Sequence, residues 1–313
     1  MYIIDTHCDA LLKLQTDFRN TYLYKDRSLD YLNSPELDTN MNRRIEGKVK
    51  VQFYAIFISP LLPDNEKWQH ALEQIDRFHK DILTQKHMVH IKNLKEINNL
   101  KENEYGAVLT LEGSDAFGND LVKLRTLFRL GVLSLGLVWN NGNLVGDGVG
   151  ETRNAGLSEF GKSVIEECNA HDVLIDVSHL NEAGVKDVIK YADKVIATHS
   201  NARAIMDHPR NLYDEQIKAI IDKGGMVNLV FCPPFIAEGT VTYDDLFKHI
   251  DHLVKLGAEN HIGLGSDFDG ITEYVEGLQH AGHYQTFVNA LIERYGEVFT
   301  KRLTHDNFLE RFC

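Results

Sequence analysis

The sequence predicts an α/β fold of the TIM type: a closed (β/α)8 barrel, one domain over residues 1–313, with additional helices at its C-terminal end. Three observations carry this. Eight short apolar runs recur along the chain, segments of helical spacing separate them, and no linker, low-complexity tract or internal repeat divides the 313 residues. Near-continuous apolar runs suit parallel strands buried on both faces. Strands alternating with helices imply βαβ units, and a barrel of about 250 residues with insertions would use the whole length.

The runs cover residues 2–6, 49–59, 106–112, 132–139, 173–179, 195–199, 225–232 and 261–267, and most are rich in Val, Ile, Leu or aromatic residues. The connection over 11–46 is long and polar, and it leaves strand two loosely bounded. Residues 66–86 predict a long helix, with Trp68, Leu72, Ile75, Phe78 and Ile82 on one face. Helical spacing returns over 157–171, where Ser158 is the N-cap and Gly161 lies in the first turn. It recurs over 181–191, 213–223 and 243–256, and terminal helices are expected over 279–294 and 301–312.

Composition limits the partners. Hydrophobic residues make up 43%, enough for a large core. The net charge of −13 argues against a nucleic-acid partner, which needs a basic surface. A small acidic substrate held by one local Arg stays open. The four cysteines (Cys8, Cys168, Cys232, Cys313) are scattered, so neither a zinc ribbon nor a disulfide framework is indicated. Free thiols suit a reducing compartment. No signal peptide and no apolar run of about 18 residues is visible, so a cytoplasmic protein without a membrane span is expected.

The chemistry sits where the predicted strands end. His7 and Asp9 close strand one, and their spacing of two points both the same way. Glu112, His179, His199 and Asp267 close later strands at the same end, the end that carries the active site in a barrel. A lone His at a strand end is usually a hydrogen-bonded core or loop residue, and the chain has 15 histidines. The coincidence of five strand ends is what points to a metal. Zinc takes imidazole and carboxylate ligands. Two ions can hold one hydroxide between them and polarise a carbonyl. His7, Asp9 and Glu112 would hold one zinc ion and His179, His199 and Glu112 the other, with Glu112 bridging. Asp267 would be the acid left free to move a proton. Cys8, between two ligands, should face away as a packed thiol. Asp269 is either an acid behind the ligands or part of a tight turn before Gly270.

These motifs resemble the membrane dipeptidase family (metallopeptidase family M19) along nearly the whole chain. Asp5-Thr6-His7-Cys8-Asp9 looks like its opening metal motif, Leu111-Glu112-Gly113 like its bridging glutamate, and Asp176-Val177-Ser178-His179 with Thr198-His199-Ser200 like its later ligands. Asn201-Ala202-Arg203-Ala204, His208-Pro209-Arg210-Asn211-Leu212 and the stretch from Gly263 to Gly270 are its most specific parts. The resemblance implies hydrolysis of dipeptides at a two-zinc centre, often with a D-residue tolerated at the C-terminal position. It implies that Arg210 pairs with the substrate carboxylate, and that Asp267 contacts the free amine and passes a proton to the leaving nitrogen. Family members are often homodimers. One departure stands out: where animal members carry a His after strand four, this chain has Trp139 followed by Asn140, so the oxyanion stabiliser is left open.

The rivals are another barrel amidohydrolase, acting on a lactone, cyclic amide or phosphoester, and a ligand-binding relative without activity. Many such amidohydrolases bridge their metals with a carboxylated Lys at a strand end. No Lys stands at a strand end here, Glu112 fills that need, and no ligand is lost.

Overall fold

The computed structural model describes residues 1–24 and 29–313. Residues 25–28, part of the polar connection over 11–46, lie outside the described residues.

Among the described residues nine strands form one parallel sheet: β1 (Ile3–Asp5), β2 (Val49–Phe57), β3 (Met88–Ile91), β4 (Tyr105–Glu112), β5 (Val132–Gly136), β6 (Leu174–Asp176), β7 (Val195–Ala197), β8 (Met226–Leu229) and β9 (Ile262–Leu264). Their order is β2-β1-β9-β8-β7-β6-β5-β4-β3, and pairing of β2 with β4 closes eight of them into a barrel. The expected (β/α)8 fold is therefore present, with one strand more than the eight apolar runs. That strand, β3, pairs only with the first half of β4, up to Ile91↔Val108. The second half of β4 pairs with β5 from Leu109↔Val132 onward. β3 is thus a short flap at the lower rim.

The helices cover the outside in the expected alternation, including Glu159–Ala170, Glu182–Tyr191, Asp214–Asp222 and Tyr243–Lys255. Ser158 caps its helix by accepting from the Gly161 N–H at 3.0 Å. The helix expected over 66–86 is shorter: it spans Asp64–Arg77 and loosens into a π turn over Phe78–Ile82. Helices also occupy Ala10–Tyr24 and Met41–Gly47, around and within the polar connection, and Leu121–Arg129, for which the sequence reading specified no helix.

The lower end of the barrel is plugged. Ile4, Phe53, Val108, Leu174, Ile196 and Met226, from six strands, pack with Phe308 and Phe312 of the last helix, Asn307–Phe312. Only the barrel interior lets six strands meet in this way. Burial of each Phe contributes about 1.5–3 kcal/mol. The C-terminal helices expected from sequence thus seal one end and leave chemistry to the other.

Two buried carboxylates fasten the upper end. Asp5 accepts from the Ser266 N–H (2.9 Å), Ser266 hydroxyl (2.7 Å) and Tyr284 hydroxyl (3.0 Å), which ties β1 to the end of β9. Asp176 accepts from the N–H groups of Ser178 and Thr198, both at 2.9 Å, and from the Thr198 hydroxyl, which ties β6 to β7.

Candidate metal centre

The candidate residues converge above the barrel. Extended chain continues past β1: Cys8 donates to Phe53 C=O at 3.1 Å and accepts from the Ala55 N–H at 2.9 Å. This keeps the alternation of the strand, so His7 and Asp9 share a side, with His7 Nε2 3.4 Å from Asp9 Oδ2. Cys8 faces away and is fully buried, as expected. Glu112 is the last residue of β4. The other candidates stand two or three residues beyond the observed strand ends. His179 and Asp267 take left-handed backbone, φ 69° and 65°, a conformation that ends an extended run and is uncommon outside glycine. Gly265 is required where it stands, because a Cβ there would overlap the Thr198 carbonyl oxygen.

Two donor groups share Glu112. His7, Asp9 and Glu112 form one, and Glu112, His179 and His199 the other. Glu112 Oε2 lies 3.7 Å from His7 Nε2, and its Oε1 lies 2.9 Å from His179 Nε2 and 3.8 Å from His199 Nε2. The two later imidazoles face each other, Nε2 to Nε2, at 3.0 Å. His7 stacks on His199 at 3.8 Å between centroids, and its Nε2 is buried without a hydrogen-bond partner. Asp267 Oδ1 approaches the same nitrogen at 3.8 Å.

The electrostatics follow from burying this many ionisable groups together. Burial opposes the charged form of His7, but Glu112, Asp9 and Asp267 outweigh it and raise its pKa to about 10. Burial holds His179 and His199 well below the usual histidine value, with nearby Arg210 and His7 adding to the effect. Burial also raises Glu112, with Asp9 reinforcing the shift. Asp267 is pushed up to about 7 by burial and Asp9, against the pull of His7 and Arg210.

A cleft of about 340 Å³ opens above, floored by Asp9, Glu112, His179, Arg210 and Asp267 and walled by Phe57, Trp139, Cys232 and Phe235. Its size falls within the range of small-molecule sites. His7 and His199, only 3% and 1% exposed, lie beneath this floor. Arg210 is 5% exposed. It donates from Nη2 to His199 C=O at 3.2 Å and lies over the Phe235 ring, while its Nε has no partner. Among the described residues no carboxylate lies within salt-bridge distance of it.

The residues singled out in sequence meet in one place, and others join them. Trp139 packs edge-on against Phe57, 5.4 Å between centroids, and walls the cleft. Asn140, weighed from sequence only as an oxyanion donor, places Oδ1 2.8 Å from His179 Nδ1. Thr198 and Asp176 stand behind His199. No sequence signal separates these three from ordinary motif neighbours, although Thr directly before a ligand His places a hydroxyl beside Nδ1. Asp269 lies behind the site: it accepts from the Asp38 N–H (2.7 Å), Thr39 hydroxyl (2.5 Å) and Lys13 Nζ (3.0 Å), anchoring the first connection.

The four cysteines are free, and among the described residues no helix is long and apolar enough to cross a membrane. The model of one protein family, membrane dipeptidase (peptidase family M19), matches residues 1–312. A relative named as an uncharacterised dipeptidase of Schizosaccharomyces pombe is 29% identical, covering 93% of this chain and 74% of the relative. Among solved structures, a metallopeptidase dipeptidase of family M19 is 30% identical with a TM-score of 0.86, covering 100% of this chain and 98% of the other. A metallopeptidase from Rhodobacter sphaeroides, solved with a phosphinate mimic of the dipeptide L-Ala-D-Ala, is 28% identical with a TM-score of 0.88, covering 100% and 99%.

Proposed function

The chain belongs to the membrane dipeptidase family, peptidase family M19, and from that membership and the site geometry we propose that it is a two-zinc dipeptidase cleaving free dipeptides, L-Xaa-D-Xaa among them. The single observation that carries the reading is the pair of donor groups sharing Glu112, beneath a cleft that also holds an unpaired buried guanidinium. The donor set fits the metal. Imidazole nitrogen and carboxylate oxygen are zinc ligands, and the orphaned Nε2 of His7 lies among three carboxylates. We assign His7, Asp9 and Glu112 to one ion and Glu112, His179 and His199 to the other. When bound, the ions would supply a nucleophilic hydroxide at neutral pH and polarise the scissile carbonyl.

The remaining work falls to the chain's own residues. Arg210 would grip the C-terminal carboxylate, since a planar guanidinium matches a carboxylate bidentately. Asp267, which lines the same cleft as Arg210, would accept a hydrogen bond from the substrate's ammonium and carry a proton to the leaving nitrogen. With one charge partner at each end, the cleft would measure a dipeptide and reject longer chains. The Rhodobacter sphaeroides relative, with its L-Ala-D-Ala mimic, supports tolerance of a D-residue at the C-terminal position.

The test is metal content and turnover on one preparation. Metal per chain is counted, and L-Xaa-L-Xaa and L-Xaa-D-Xaa dipeptides are assayed before and after chelation. About two zinc ions with chelator-sensitive cleavage supports the reading. Two metals without dipeptide cleavage would move the substrate to another amide or ester, and failure to bind metal would overturn the proposal.

A further inference from the structure

Hydrogen-bond bookkeeping around the two later histidines fixes where their protons sit. Asn140 Oδ1, 2.8 Å from His179 Nδ1, can only accept, so Nδ1 carries the hydrogen. The Thr198 hydroxyl lies between Asp176 Oδ2 and His199 Nδ1, the latter at 2.8 Å. A hydroxyl has one proton, and here the carboxylate takes it. Toward His199 the Thr198 oxygen is therefore an acceptor, and His199 Nδ1 also carries a hydrogen. In each neutral ring Nε2 is then a bare lone pair. The two lone pairs face each other at 3.0 Å, and Glu112 Oε1 lies 2.9 Å from one of them. Three acceptors meeting here need a shared proton or a cation between them.

We propose that Asn140 and the Asp176–Thr198 pair are positioning residues that set the tautomers of His179 and His199 for the ion shared with Glu112. The inference rests on the two-metal reading above. Its parts are built in. The Asn140 C=O accepts from the Gly150 N–H at 2.7 Å, and the His179 C=O from the Val149 N–H at 2.9 Å. A Cβ on Gly148 would collide with the backbone of Trp139 and Asn140, so glycine there lets this strap close over both residues. Asp176 accepts from two N–H groups besides the Thr198 hydroxyl, which orients it as an acceptor. The position following Trp139 is thus occupied by a side chain facing a metal ligand through its oxygen, a different task from oxyanion binding.

The test uses the full chain with 15N-labelled histidine. In the metal-free protein at pH 8, long-range 1H–15N spectra should place His179 and His199 in the single Nδ1–H form. Thr198→Val should release His199 from it, and competition with a chromophoric zinc chelator should show one of two ions weakened about 10- to 100-fold. Thr198→Ser should restore both. Asn140→Ala should do the same to His179, and Asn140→Asp should rescue it. Should Thr198→Val fail to fold, the Asn140 pair carries the test alone, because Asn140 lies in a loop. Unchanged tautomers and zinc affinity in Asn140→Ala and Thr198→Val would overturn the inference, as would mixed tautomers in the unsubstituted chain. Both readouts need no substrate. An unsubstituted chain that binds zinc with fixed tautomers yet cleaves no dipeptide would sink the dipeptidase reading and support this one.

Discussion

Replacing Arg210 by Met separates anchoring from architecture, because the two roles predict opposite changes in stability and different patterns of lost turnover. Arg210 is 5% exposed, its Nε has no partner, and burial lowers its pKa against the pull of Asp267 and Glu112. A lowered pKa in a cation means that the folded site disfavours the charge. The ligand-free chain should therefore gain stability when a Met of similar reach takes its place. The gain is about 1–3 kcal/mol, less than a freed buried charge would give, because His199 C=O loses its donor. Turnover should fall. Losing one partner of a buried charge pair costs about 2–5 kcal/mol, or roughly 30- to 5,000-fold in kcat/KM for a free dipeptide at 1.36 kcal/mol per tenfold. A dipeptide amide forfeits only hydrogen bonds from the guanidinium to a neutral group, about 1.5–3 kcal/mol, or roughly 13- to 160-fold. The assay is kcat/KM for acid and amide forms of one dipeptide, beside thermal unfolding of the metal-free protein. Equal damage to both substrates with a lowered Tm would refute the reasoning and make Arg210 a structural residue.

Further outcomes follow from the same geometry. Glu112→Gln should lower bound zinc below two per chain and abolish activity with it, since Glu112 belongs to both donor groups; full activity with two metals would end its bridging role. Asp267→Asn should keep both metals and lower kcat about 10²- to 10⁴-fold, the usual range for a lost proton carrier; metal analysis and steady-state kinetics check it, and an undiminished kcat would remove it from catalysis. In the metal-free chain His7 is raised to about 10 and Asp267 to about 7. Groups with raised folded-state pKa values hold extra protons in the fold. Their stabilisation is present below the unfolded values, about 6.5 and 3.9, and is lost as pH climbs through the folded ones. The metal-free Tm should therefore decline from about pH 6.5, above which the lowered His179 and His199 no longer oppose it, toward pH 10, while zinc, taking the place of the His7 proton, flattens the curve. A parallel decline in the zinc-loaded protein would contradict the ligand assignment.

The barrel was legible because both faces of its strands are buried, so each strand reads as an apolar run. The runs overshoot the strands: residues 173–179 read as one apolar stretch, while the ladder stops at Asp176. Past that point side chains take over the hydrogen bonding, as Asp176 does for Ser178 and Thr198, and sequence does not distinguish a ladder from a clamp. β3 escaped notice because Met88–Ile91 is four residues long and mostly half-buried, too brief for a period to register. The candidate site was legible for a different reason: polar residues at the ends of apolar runs stand out singly, and a parallel barrel gathers such ends. Asn140 was not, because its partner His179 is 39 positions away and lies across a loop whose course depends on glycine packing.

The same reasoning explains why acids that bind no metal surround the site. Asp5, Asp176 and Asp269 are each at least 95% buried. Burial raises the pKa of Asp5 and Asp269, with hydrogen bonds opposing the shift in the first and Lys13 in the second. Asp5 and Asp176 each occupy the last position of a strand and accept the N–H two residues on, which steers the chain into His7 in one case and toward His179 in the other. Each also accepts an N–H beyond the end of a neighbouring strand, Ser266 after β9 and Thr198 after β7. A carboxylate is suited to this work because it accepts several N–H and O–H donors at once and offers none in return. The geometry of the candidate ligands at the top of the barrel is therefore inherited from strand-end clamps. Substituting Asp5 or Asp176 should scatter the ligands before it unfolds the barrel.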